Sequence, residues 1–397
     1  METPTQTLHR LTSYELGRDW DETVDDPRIV QDFEPNDLDR LPWFYKRYAE
    51  TLPVLELPRD LAETPASAIA VLAGATDVPE RELDLPYLSR LLHLSAGVVR
   101  TSPRPYGTYL FRAAGSAGGR FPLELYVAVP DGTALPPGVH WYHPEDHALV
   151  RVGPPPRGDA PAVVVTGIPW RTGWRYRERG YRHVFWDAGT MLAQLLAGAE
   201  SGGVRPALYS TFPDARVATL VGADRVHELP VAVVALGGEP ALEPGGPAAL
   251  GEVDAAPIEF PLVTPAYRAG ERDALGVPWS VGEPVDVPDE GPSVDRVILA
   301  RGSQRLMDAS RSLPRELLET SLRVALRGVD LPHFVAVHAV DGLAPGIYRW
   351  PDLDAPVRAG DLREELYRVC LDQGLGRDAA FVVISAADVP SLDDRAY

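Results

Sequence analysis

Apolar residues recur at Leu85, Leu88, Leu91 and Leu92, and Ser95 closes the same face; this spacing of three and four predicts an amphipathic helix over 85–96. A longer stripe through Val184, Phe185, Ala188, Leu192, Leu195 and Ala199 predicts a second helix from about 179 to 200. A third is expected over 313–326, with Ser312 as N-cap and Pro314 at the first helical position. Residues 123–129, 139–142 and 162–166 run apolar or alternate, are rich in β-branched side chains, and read as strands. Helices interleaved with hairpin strands predict an α+β layered fold rather than a parallel βαβ sheet.

The pattern also repeats. GVHWYHPEDHALVRVG (138–153) compares with GIYRWPDLDAPVRAG (346–360), each after a Val-rich strand, and AVVVTG (162–167) compares with AFVVIS (380–385). ERGY (178–181) is followed in the same order by DRAY (394–397), with offsets that stay between 208 and 218 residues. Preserved order points to an internal duplication. The expected organisation is a polar arm over 1–50, a first domain over 51–237, a Pro-rich acidic linker or wrapping segment over 238–293, and a second domain over 294–397. Aromatics in the arm (Trp20, Phe33, Trp43, Phe44, Tyr45, Tyr48) suggest packing onto something. The first copy continues past Tyr181 through a helix to the strand LPVAVVALG, whereas the second stops at Tyr397. That copy is expected to be truncated or completed by another chain.

Composition narrows the chemistry. With 38 basic against 57 acidic residues the 397-residue chain carries a formal charge of −19, which argues against nucleic acid as a partner. No stretch is long and apolar enough for a membrane span, and the N-terminus lacks a signal-peptide core, so the cytoplasm is the expected setting. One cysteine, Cys370, excludes an internal disulfide. One lysine, Lys46, nearly excludes Schiff-base and Walker-type chemistry.

Four segments are candidates for function. Ser116-Ala117-Gly118-Gly119 is a small-residue turn feeding a strand; it bares backbone N–H groups and lets a flat ligand approach. An ordinary loop would read the same way. Arg301, Ser303 and Arg305 alternate, a forked donor set suited to phosphate or a solvated basic turn. WRTGWRYRERGYRH (170–183) holds five arginines among aromatics at a helix start, where cations oppose the macrodipole, and this tilts the reading toward function. His140, His143 and His147 have zinc-like spacing, but they fall in a strand and turn where side chains diverge, so a structural role is expected and no metal site.

Together these segments resemble the nitroreductase superfamily, most closely its SagB-type branch, the azoline dehydrogenases of ribosomal peptide biosynthesis. The resemblance is carried by LSAGVVR (94–100), AGSAGGRFPLELYVAV, the 138–150 hairpin, RYRERGYRHVFWDAGTMLAQLLAGAE (175–200), ARGSQR and DGLAPGIYRW. It implies a nitroreductase-like fold duplicated in one chain as a pseudo-dimer, the second copy lacking its C-terminal elements. It also implies FMN held between the Ser116–Gly119 loop of one copy and Arg301, Ser303 and Arg305 of the other. The first copy has PASAIAVLAG (65–74), without arginine, where its own segment should lie, so one intact site is expected and the mirror-image site should be empty.

The resemblance further implies that Tyr176 handles a proton and Arg175 orients the substrate, in place of the family's Lys-Tyr pair. Gly302 and Met307 replace the family's second arginine and phenylalanine. The implied activity is FMN-dependent oxidation of azolines in a modified peptide, alongside possible partner biosynthetic enzymes. The alternatives are an NAD(P)H-dependent flavin reductase acting on a small molecule, and a flavin-free scaffold that binds a peptide or partner.

Overall fold

The computed structural model describes residues 2–14, 37–61, 63–104, 107–304 and 306–397. Arg305, Trp20 and Phe33 lie outside the described residues.

Strands β1 (Val54–Glu56), β2 (Val98–Arg104), β3 (Gly107–Arg112), β4 (Leu123–Val129), β5 (Gly138–His143), β6 (Ala148–Gly153), β7 (Ala162–Gly167), β8 (Pro206–Tyr209) and β9 (Leu229–Leu236) belong to the first half. Seven of them form one antiparallel sheet in the order β1-β6-β5-β4-β7-β9-β8, and β2 and β3 form a separate hairpin. Strands β10 (His333–Val337), β11 (Gly346–Arg349), β12 (Arg358–Ala359) and β13 (Phe381–Ser385) form a second sheet ordered β12-β11-β10-β13.

That order matches β6-β5-β4-β7, and the register matches too. Val129 lies opposite Gly138 and Val337 opposite Gly346, both shifted by 208 positions. The fold is thus α+β and duplicated, as the sequence pattern predicts. One detail differs: Val127 pairs with Val163 and Val335 with Val383, so β13 matches β7 with an offset of 220 rather than 218. The even slip keeps each side chain on its own face of the sheet. Among the described residues no strand lies beyond β13 where β9 flanks β7.

The helix Leu85–Ala96 occupies the span its periodicity predicts, N-capped by Asp84. The long helix Gly180–Ser201 packs beside it over one sheet face, burying Val184, Ala188, Met191 and Leu195 against Leu125, Val127, Val163 and Val165. The helix expected over 313–326 starts later: Pro314 is its N-cap and Arg315–Ala325 its body, because Pro314 holds extended ψ.

Residues 240–267 wrap the first half. Ala241, Leu242, Phe260, Val263 and Tyr267 are buried, and Arg47 bridges Glu252 in antiparallel fashion.

The arm aromatics near residue 45 also serve the core. Lys46 is buried, with Nζ 2.5 Å from Glu228 Oε2 and 3.0 Å from Tyr126 Oη; Tyr48 reaches the same hydroxyl at 3.0 Å. The only lysine is therefore a structural ion.

The two halves meet at Ser67 and Ser293. Each N-caps a short helix, Ala68–Ala73 and Val294–Ala300. The two serines form an antiparallel bridge, with Ala68 N donating to Pro292 O at 2.9 Å. One helix ends at Gly74 and the other at Arg301.

Candidate active site

The hairpin β2–β3 delivers the chain to Ala113 and then to the glycine loop before β4. Ser116 precedes a tight turn over Ala117–Gly119, in which Gly118 and Gly119 take φ of 58° and 64°. Phe121 follows with φ 47°, a conformation costly for a side chain with a Cβ. Asp187, one face of the long helix, holds this loop: it accepts from the Ser116 hydroxyl and, at 2.9 Å, from Ala117 N. Ser116 Oγ in turn accepts from Phe121 N at 2.8 Å. Burial pushes the Asp187 carboxyl up to about 6, against the pull of those two hydrogen bonds.

Arg175 and Tyr176 close over the same loop. A methyl group built on Gly118 would lie 2.8 Å from Tyr176 Oη and 2.8 Å from Arg175 Cδ. The helix Pro169–Tyr176 ends here because Arg177 takes φ 50° and ψ −139°, a second outlier beside the site. His183, one turn before Asp187, meets the Tyr176 ring edge-on at 4.1 Å between centroids. Burial, then Arg179 and Arg182, hold His183 down at about 4, so its ring stays neutral.

Arg301 arrives from the other half. Its Nη2 donates to Ala113 O at 3.1 Å, and both Nη atoms lie 3.8 Å from a methyl group built on Gly115. Ser303 is exposed and makes no hydrogen bond among the described residues; Arg305 is outside them. The loop, Arg175, Tyr176 and Arg301 are thus brought together, while the placement of Ser303 toward the loop is not.

Beside the loop lies a cleft of about 20 Å³ lined by Ser95, Arg112, Gly115, Ser116, Phe121, Asp187 and Met191; Arg175, Tyr176 and Arg301 do not line it. Arg112 is buried beside it, its Nε without a hydrogen-bond partner, and burial lowers its guanidinium to about 10 against the pull of Glu124. A wider groove of about 630 Å³, bounded by Pro79, Glu80, Arg81, Tyr87 and Gly202, contains none of the sequence-predicted site residues.

The donor set fits an FMN. Arg301 stands by Gly115 and Arg175 by Gly118, three of the five loop positions 115–119 are glycine, and among the described residues the buried Arg112 Nε has no hydrogen-bond partner. A space of about 20 Å³ holds little more than a water, so the cleft itself does not house a flavin ring.

Sequence reasoning gave no role to Asp187, His183 or Arg112: the first two lie inside the quoted 175–200 block, but their partners at Ser116, Ala117 and Tyr176 show only in the folded chain. Within 170–183 the structure separates Arg175 and Tyr176, which reach the loop, from three arginines engaged elsewhere. Arg171 is buried against Glu124 at 2.5 Å. Arg179 and Arg182 donate to Thr12 O and His9 O, carbonyls in the last turn of the helix Pro4–Thr12. Cations there complement that helix's dipole. His147, for its part, bonds Ser89 Oγ at 2.7 Å and Tyr142 Oη at 2.8 Å.

No family model matches the chain. Its structure is similar to that of a putative nitroreductase from Anabaena variabilis, with a TM-score of 0.72 and 24% identity over 98% of this chain and 86% of the other. The fold is nitroreductase-like. An alignment of 170 positions, covering 39% of this nitroreductase-like chain, is 28% identical to a putative nitroreductase of Methanocaldococcus jannaschii and covers 81% of that protein. A structure of the E. coli microcin synthetase McbBCD complex with truncated pro-MccB17 bound aligns with 48% of this chain at a TM-score of 0.33 and 21% identity; a fit that low defines no shared fold. Among the described residues, no helix is long and apolar enough to cross a membrane.

Proposed function

We propose that the chain is an FMN-dependent oxidoreductase with one flavin site shared between its halves. The relatives support the coarse class, a nitroreductase-like oxidoreductase. The observation that carries the rest is the meeting of Arg301 with Gly115 and of Tyr176 with Gly118 on a single loop.

When bound, FMN would supply two-electron redox chemistry that no side chain here can perform. Arg301, with Ser303 and Arg305, would hold its phosphate. The glycine loop would let the ring lie against the main chain, and Asp187 would keep that loop in shape. Tyr176 Oη would move a proton, and the Arg175 guanidinium, a donor without an acceptor, would orient an anionic or amide group.

The substrate we propose is a thiazoline or oxazoline in a ribosomally made peptide. Its oxidation to the azole removes two hydrogens, one as a proton by way of Tyr176, and dioxygen is the final electron acceptor. The loaded enzyme mixed with an azoline peptide in air should lower the peptide's mass by two hydrogens. Rapid bleaching of the flavin by NAD(P)H instead would make the chain a reductase of small molecules.

One observation favours a second reading, a flavin-free scaffold for a peptide or partner enzyme. Asp187 already occupies the Ser116 hydroxyl and the Ala117 N–H. Protein that stays colourless after FMN is added would select it.

A further inference from the structure

We infer that the buried ion pair of Arg90 and Asp295 is a positioning element that holds Arg301 over the glycine loop, and so gives the site its preference for a phosphorylated flavin. This rests on the flavin reading above.

Arg90 sits mid-way along the helix Leu85–Ala96 and is 2% exposed. Its Nε donates to Asp295 Oδ2 at 2.7 Å, and its Nη2 reaches Oδ1 of the same carboxylate. Further contacts complete the fork: Nη1 bonds Gly198 O at 2.9 Å, and Nη2 also lies 2.9 Å from both Thr64 Oγ1 and Ser201 Oγ. Thr64 Oγ1 also reaches Asp295 Oδ1 at 3.2 Å. One guanidinium thus ties the second half's first helix to three separate segments of the first half.

The helix that carries Asp295 is short. Val294–Ala300 spans two turns, and apart from Asp295 it buries only Val294 and Ile298, too little to fix a seven-residue helix on propensity. Arg301 follows at once, its N–H bonded to Val297 O at 2.9 Å, so its backbone moves as the helix moves. Six residues separate it from Asp295, roughly 9 Å at helical rise. A slip of one turn would carry the guanidinium roughly 5 Å from Ala113 and Gly115, beyond hydrogen-bond reach. A sliding apolar contact would tolerate that slip. A bidentate fork whose third nitrogen is also hydrogen-bonded does not. Burying charge is a poor route to stability alone, and register is what such a pair supplies best.

The test uses the full chain. Wild type, Asp295→Asn, Arg301→Gln and the double variant are titrated with FMN and with riboflavin, and amide exchange is followed across residues 294–301. The expected result for Asp295→Asn is about tenfold faster exchange confined to that helix. Its FMN affinity should fall about tenfold toward that of riboflavin, and riboflavin affinity should not change. Arg301→Gln should lose the same discrimination, and the double variant should lose no more. Equal weakening of both flavins, no weakening, or additive losses would overturn the inference. If Asp295→Asn does not fold, Thr64→Val with Ser201→Ala loosens the same fork and should give a smaller loss of the same selective kind. A wild type that binds neither flavin defeats the flavin reading instead; the exchange data then decide the positioning role, and unchanged exchange in Asp295→Asn defeats it.

Discussion

Arg301 Nη2 donates a 3.1 Å hydrogen bond to the carbonyl oxygen of Ala113, joining positions 188 residues apart. The contact sets a cation from the second half at the mouth of a glycine loop built by the first. Neither half contains both parts: the first ends its matching helix on Gly74, and the second has no such loop between the helix Arg315–Ala325 and β10.

Gly118 is the point of the loop that packs against both Arg175 and Tyr176. Gly118→Ala places a methyl group at φ 58° and 2.8 Å from both Tyr176 Oη and Arg175 Cδ. We expect a stability loss of about 1–3 kcal/mol from backbone strain, together with loss of flavin uptake. Thermal unfolding and absorbance in the flavin bands check the two effects separately.

Gly302 is the opposite case, since a methyl group built there meets nothing within 4 Å. Gly302→Arg should therefore be tolerated and add a second cation beside Arg301. A new charge-assisted hydrogen bond of about 1.5 kcal/mol would tighten FMN binding about tenfold. Fluorescence titration reads this directly, and riboflavin binding should stay unchanged.

Tyr176→Phe removes only the hydroxyl above Gly118 and keeps the edge-on contact with His183. Flavin affinity should hold while turnover falls by about 10²-fold, the usual worth of a positioned proton carrier. Equal losses in binding and turnover would mean that Tyr176 shapes the site rather than moving a proton.

Glu178 gives a pH signature. Burial raises its carboxyl from the ordinary 4.5 to about 7, against hydrogen bonds from the backbone at Leu262 and Val263. The folded state thus holds a proton that the unfolded state has released between pH 4.5 and 7. This group's contribution falls as pH rises through that window and is flat above it. Glu178→Gln stays neutral, so its melting temperature relative to wild type should climb from pH 4.5 to 7 and then level off.

Much of the fold was legible because periodicity is a local property. The helix Leu85–Ala96 and strand β4 occupy the spans their side chains predict, and the repeated hairpins show the duplication directly. The glycine loop and Arg301 were visible as unusual local composition. Asp187, Arg90 and Asp295 were not, because their meaning lies in partners 70 to 205 residues away. Arg179 and Arg182 misled for the same reason, since the carbonyls they satisfy belong to the N-terminal helix.

The central claim is that two degenerate copies share one nucleotide pocket. Titrating FMN into the stripped, purified chain while following its absorbance tests this most directly. The account predicts saturation at one flavin per chain, lost in Arg301→Gln. No uptake, or two equivalents per chain, would contradict it.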